Sequence, residues 1–207
     1  MRFVDVNVDE VAIGDYNNRK MSLRMSETDK PVKFQIPRMY MPFGVSGFTP
    51  EAGATKWNID FSMKGWDEEG NYVNKFYTFV KKIEDSIIDK VFAQSNEIFN
   101  RQVPRKELER MFNSNIKELS DRDPKLRTKV NVTYDGEMRT TVFDVDNENI
   151  TKPPERGLYS QHSGTAQVEL AGVYFMNKMF GVTWKISQLT VFEPQRLNGF
   201  QFILDES

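Results

Sequence analysis

One region of this 207-residue chain carries a helical period. Between Val73 and Asn100, apolar residues recur at Val73, Phe76, Val80, Ile83, Ile87, Val91 and Ile98. Steps of three, four and seven put them on one stripe of a helix, with Lys75, Lys82, Asp85 and Asp89 off it. A shorter helix is predicted next, entered at Pro104, striped by Leu108, Met111, Phe112, Ile116 and Leu119, and ended by Asp121-Arg122-Asp123-Pro124. The sequence on either side reads as strand. Alternating βαβ architectures need a helix after each strand, so a single helical block is a poor match to them.

The strands have clear signatures. In TKWNIDFSMK, Trp57, Ile59, Phe61 and Met63 fall on one face, and Lys56, Asn58, Asp60, Ser62 and Lys64 on the other. Upstream, VKFQIPRMYMPF is extended but broken by Pro37 and Pro42, and GVSGFTPEAGA is loop. After the helices, LRTKVNVTY and RTTVFDV flank Asp135-Gly136, a hairpin signal. A long loop runs from Asp146 to about Ser163, and TAQVELAGVYF and GVTWKISQLTVF form the last strand pair. Short strands around one helical block predict a mainly β fold with a helical insertion. The matching architecture is a five-stranded OB barrel capped by a long helix between its third and fourth strands. The expected organisation is an N-terminal arm over 1–31, an OB domain over 32–192 with its helical insertion at about 73–120, and a C-terminal tail over 193–207.

Composition removes several chemistries. The chain has no cysteine and a single histidine, His162, so thiol nucleophiles, disulfides and cysteine zinc sites are excluded. No phosphate-binding glycine motif, nucleophile elbow or HExxH motif is present. Asp144, Asp146 and Glu155 imitate the ends of a calcium loop, but Asn149 replaces its glycine and Pro153-Pro154 stiffens it. The sequons at Asn131 and Asn149 read as chance matches. The start, MRFVDVNVDE, has neither a signal-peptide nor a transit-peptide pattern, and no apolar run is long enough for a membrane span. A soluble intracellular protein is expected. At a formal charge of −2, binding to a polyanion would depend on local clustering of basic residues.

Such clustering is visible. In a strand KLRTKV, Lys125, Arg127 and Lys129 project from one side, forming a line of charge suited to following phosphates, and Arg139 lies across the turn. The bland reading is a solvated sheet face guarded against aggregation. GVYFMNKMFGVTWKISQLTVF adds Tyr174, Phe175, Lys178, Trp184 and Lys185 without one carboxylate. Mixed rings and cations suit unpaired nucleic acid, although Val182, Trp184 and Ile186 alternate as core would. Arg38, Tyr40, Phe43 and Phe48 sit in a Pro/Gly-rich segment, where rings are harder to explain as core.

PFGVSGF, VFAQSNEIF, DPKLRTKV and GVYFMNKMFGVTWKISQLTV, in this order, resemble the single-stranded-DNA-binding proteins of large eukaryotic DNA viruses. Those are similar in turn to the replication single-strand binders of certain tailed phages. The resemblance covers about Val32 to Val191. It implies an OB barrel that binds single-stranded DNA without sequence preference, with neither catalysis nor cofactor. It also implies backbone contacts at Lys125, Arg127 and Lys129, with Lys178 and Lys185 flanking the aromatic pair. Such binders often end in a long acidic tail. This chain ends in FILDES, with only Asp205 and Glu206, so tail-mediated recruitment is not expected.

The sequence therefore predicts a non-enzymatic single-stranded-DNA binder for replication, recombination or repair, with no metal and no cofactor. Its groove is expected to use Arg38, Tyr40, Phe43, Lys56, Lys64, Lys125, Arg127, Lys129, Arg139, Tyr174, Phe175, Lys178 and Lys185. Expected partners are single-stranded DNA and, secondarily, replication proteins and further copies of the chain, but no membrane. The rival is an assembly protein, such as a minor virion component, using the aromatic strands as an interface. A weaker third reading is a metal-dependent enzyme on nucleic acid built from Asp144 and Asp146.

Overall fold

Asn71 starts the long helix: its Oδ1 accepts from the backbone N–H of Val73 at 2.8 Å, satisfying an otherwise orphaned donor. The computed structural model describes residues 1–194. In chain order, two 3₁₀ turns at Phe3–Asp5 and Val8–Glu10 lead into β1 (Val11–Ile13), β2 (Lys20–Met21) and β3 (Leu23–Met25). Next come β4 (Lys33–Gln35), β5 (Met39–Met41), β6 (Val45–Phe48) and β7 (Lys56–Ser62). The helical block is α1 (Tyr72–Ala93), α2 (Ser95–Phe99) and α3 (Arg105–Met111). It is followed by β8 (Ile116–Leu119), β9 (Arg122–Val130), β10 (Thr141–Phe143), β11 (His162–Met176) and β12 (Met179–Phe192). Among the described residues no helix is long and apolar enough to cross a membrane. The tail residues 195–207, with Asp205 and Glu206, lie outside the described residues.

Five strands close into a ring. β5 pairs antiparallel with β7 (Tyr40↔Ser62) and β7 with β9 (Asp60↔Arg127). β9 runs parallel to β12 through Lys129↔Lys185 and Val130↔Ile186. β12 pairs antiparallel with β11, and β11 with β5 (Ser163↔Tyr40). Alternation sends Ile59, Phe61, Leu126, Val130, Val168, Trp184 and Ile186 into the interior. The stripe of Phe76, Val80, Ile83, Ile87 and Val91 is buried as predicted, and the helix seals the barrel. Ring centroids lie 5.1 Å apart for Phe34–Phe79 and 6.4 Å for Phe76–Trp184. The fold is thus an OB-like five-stranded barrel with a helical cap.

Three details differ from the sequence reading. The cap lies between the second and third ring strands in chain order, not between the third and fourth. β5 and β6 both run along β7 (Tyr40↔Ser62, Val45↔Ile59), so they form one bent ring strand. Second, Ile116 belongs to strand β8, not to the second helix. α3 stops at Met111 because Phe112 turns to extended geometry and bridges Phe180 in parallel. Third, β9 and β10 do not pair with each other across Asp135-Gly136. Both lie parallel to β12, and residues 131–139 form a short finger between them, closed by Arg139 N–H donating to Asn131 O.

The loop over 146–161 is tied down along the β5–β6 bend. Val45 N–H donates to Leu158 O, Gln161 N–H to Met41 O, and the Tyr159 hydroxyl to Ile150 O. Gly44, at φ +57°, permits the closest approach: a Cβ there would sit 2.1 Å from Leu158 O.

Glu84 on α1 fixes the α3–β8 connection by accepting from the Ser114 hydroxyl at 2.6 Å and from Asn115 N–H at 3.3 Å. Glu84 is 6% exposed, and burial pushes its pKa above the ordinary glutamate range. A raised folded-state pKa contributes stability that is complete below the unfolded pKa and is lost as pH rises through the folded one. Glu84→Gln, which keeps the acceptor, should therefore melt higher than the parent at neutral pH. The difference should shrink as pH falls into the ordinary glutamate range near 4.5. Thermal melts across that range check this, and a constant difference would contradict the burial effect.

Candidate nucleic-acid interface

β7 and β9 carry the site because their antiparallel register sets matched polar residues on one outer face. Asn58 lies opposite Lys129, Asp60 opposite Arg127 and Ser62 opposite Lys125. Lys125, Arg127 and Lys129 all point outward, while Leu126, Thr128 and Val130 are buried between them. The lateral rows extend further. One runs Tyr40–Ser62–Lys125–Lys117 across β5, β7, β9 and β8. Another runs Asn58–Lys129–Lys185–Glu169–Lys33, in which Lys33 Nζ pairs with Glu169 Oε2 at 2.9 Å.

The three cations of β9 are not equivalent. Arg127 is bound bidentately by Asp60, Nε to Oδ1 at 2.8 Å and Nη2 to Oδ2 at 2.9 Å. That pairing raises the guanidinium above its ordinary pKa and neutralises much of its charge. Its side chain is still 49% exposed, and Nη1 has no protein partner among the described residues. Asp60 itself is 5% exposed, so Arg127 keeps a buried carboxylate paired as well as facing solvent. Lys125 places Nζ 4.4 Å from the centroid of the Phe43 ring, whereas Lys129 is exposed and forms no ion pair among the described residues.

The exposed rings and remaining cations line this face at both ends. Tyr40 is 45% exposed and Phe43 49%, so neither is core. Arg38 stacks its guanidinium 3.9 Å from the Phe192 ring centroid and shares a cleft with Tyr40 and Lys64. Lys56 marks the other end beside Phe48, which is 63% exposed. Arg139, exposed at the base of the finger, neighbours Asn131 just beyond Lys129. From Lys56 to Lys64 the track is about 26 Å long at roughly 3.3 Å per residue.

The β11–β12 hairpin tip forms a second group. Asn177 and Lys178, at φ +51° and +63°, make its two-residue turn. Phe175 is half-buried, stacked on Phe180 at 5.6 Å and edge-on to Tyr16 at 5.1 Å. Lys178 and Phe175 line a cleft of about 310 Å³ with Arg19 and Phe99, away from the β7–β9 rows. Tyr174 links the groups: its hydroxyl accepts from Asn113 Nδ2 at 2.7 Å, and Asn113 Oδ1 accepts from Lys117 Nζ at 2.8 Å. Trp184 is sealed inside at 1% exposure.

Sequence reasoning missed Lys117. Burial and the nearby Arg127 charge hold its ammonium below the ordinary lysine range, so a cation sits on this face at an electrostatic cost. Read as helix, IKEL could not reveal its position opposite Lys125, but its short polar–apolar alternation before a tight turn was a usable strand signal. Tyr134, fully exposed on the finger, was also passed over. Among the described residues no group of three or more His, Asp or Glu side chains is placed to hold a metal. Asp144 Oδ1 is instead occupied by the N–H groups of Asp146 and Glu148.

No curated protein matches the chain in sequence. Among solved structures the fold is similar to gp2.5, a single-stranded DNA binding protein encoded by bacteriophage T7. That likeness has a TM-score of 0.51 at 10% identity and covers 83% of this chain and 91% of that one. The single-stranded DNA-binding protein from bacteriophage Enc34 in complex with ssDNA aligns at a TM-score of 0.47 and 9% identity, over 92% of this chain and 99% of that one. At such identities the first likeness speaks to the fold alone. By its sequence over residues 70–202, the chain belongs to a family of unknown function (DUF5871).

Proposed function

We propose that this protein binds single-stranded DNA without base preference along most of its track, as a non-enzymatic component of DNA replication, recombination or repair. One observation carries the reading. Lys117, Lys125, Lys129 and Lys185 converge from three strands, β8, β9 and β12, onto one face, beside the exposed rings of Tyr40 and Phe43. Cations at strand spacing neutralise successive phosphates, and rings on the same face stack on bases of any identity. The OB architecture supports it, because this fold presents its second and third strands to oligonucleotides, and β7 and β9 are those strands. The T7 phage protein of similar fold is named as a single-stranded DNA binder, which favours the same ligand here. In this reading the chain acts in a viral replication cycle, and the motif resemblance supports the viral part.

Binding should weaken with salt through counterion release. For four to five phosphate contacts, log K against log salt should fall with a slope of about −3 on a single strand. Fluorescence anisotropy of a labelled oligo-dT at several salt concentrations measures it. A slope near zero, or equal affinity for duplex DNA, would overturn the reading.

A further inference from the structure

We propose that the cleft at the Lys64 end of the basic face is a subsite for one nucleobase carrying adjacent imino and amino hydrogens, guanine foremost, with Glu68 as its acceptor. The inference rests on the single-strand reading above and adds base preference at one position of the track.

The cleft has a volume of about 310 Å³ and is lined by Arg38, Tyr40, Ser62, Lys64, Glu68 and Asn71, among others. Arg38 and Lys64 suit phosphate, and the half-exposed Tyr40 ring suits stacking. Glu68 does not fit a site that holds only backbone, since a carboxylate repels phosphate. Its position is enforced. Glu68 Oε2 accepts from Asn71 Nδ2 at 3.0 Å, and Asn71 is the residue that caps α1. Asn71 is confined in turn by Gly65, at φ +84°, where a Cβ would lie 2.6 Å from Asn71 Nδ2.

An ionised carboxylate only accepts hydrogen bonds. Guanine offers N1–H and N2–H₂ side by side, matching its two oxygens. Cytosine and adenine each offer one amino group, as in the known pairing of acidic side chains with cytosine N4. Thymine offers one N–H flanked by two carbonyls, which turn like polarity toward the carboxylate. The adjacent Arg38 and Lys64 compensate the Glu68 charge for the phosphate passing the cleft.

The test compares oligo-dT with the same oligomer carrying guanine at alternate positions, and with inosine in place of guanine to remove the amino group. The full chain and its Glu68→Gln and Glu68→Ala variants are titrated at one salt concentration. The parent should prefer the guanine oligomer by about fivefold, the low end for a bidentate base contact. Inosine should fall between guanine and thymine. Both variants should lose the preference while binding oligo-dT at least as well as the parent. Equal affinity of the parent for all three oligomers overturns the subsite, and a guanine preference surviving in both variants removes Glu68 from it. If the parent binds no oligomer at all, the single-strand reading itself fails, a result distinct from binding without preference.

Discussion

Replacing Lys125 and Lys129 together by glutamate is expected to lower affinity for oligo-dT about a hundredfold or more at roughly 50 mM salt. Both ammonium groups lie on the outer face of β9, in line with Lys117 and Lys185 on its neighbours. Reversal removes two attractions and adds two repulsions on the path of one strand. The milder Lys125→Gln, Lys129→Gln pair separates charge from shape: its salt slope should flatten by about 1.4, or about 0.7 per lost contact. Arg127 is unsuited to this test, because its partner Asp60 is buried. Reversing Arg127 would set two carboxylates together and cost roughly 3–5 kcal/mol of folding stability from the stranded charge alone. Neither reversed lysine is ion-paired with a buried carboxylate among the described residues, since Asp60 is held by Arg127, so the variant should melt close to the parent. Unchanged binding with an unchanged melt would remove β9 from the interface and favour the assembly-protein rival, in which the aromatic strands bind another protein.

The largest expected loss of stability is at Trp184. Its indole is buried on β12, edge-on to Phe34 at 5.6 Å and to Phe76 at 6.4 Å, where the β-barrel interior meets the helical cap. Trp184→Ala should cost about 3–5 kcal/mol, because the cavity touches rigid ring strands on one side and α1 on the other. For a chain of this size that lowers Tm by roughly 6–20 °C. Trp184→Phe, which keeps a ring, should lose much less. Urea unfolding distinguishes them, and a cost for alanine below about 1 kcal/mol would show that the cap does not depend on this contact. DNA binding at low temperature should survive in either variant, since the indole does not reach the outer face.

Much of this architecture was legible in the sequence because it rests on local periodicity. The stripe from Val73 to Val91 and the alternation of Ile59, Phe61 and Met63 are properties of neighbouring residues, and burial follows them. The outward set Lys125, Arg127 and Lys129 was readable for the same reason. Register was not. Nothing local announces that Asp60 meets Arg127, which turns one of the three cations into half of an ion pair. Nor could the sequence show that Lys178 and Phe175 belong to a separate cleft, since the direction of a hairpin tip depends on what packs beneath it. Ile116 fitted a helical spacing and a strand equally well, and pairing with β9 decided it. In each case a tertiary contact chose between options that local preference left balanced.

The parallel seam between β9 and β12 has a consequence for biosynthesis. Lys129 and Val130 must wait for Lys185 and Ile186, so the ring cannot shut until β12 has left the ribosome. Until then the nascent chain exposes a bare β9 edge with only its β7 and β8 neighbours in place, a template for mispairing with other chains. The charges along that edge, which suit it to a polyanion later, also keep identical nascent chains apart while it is open.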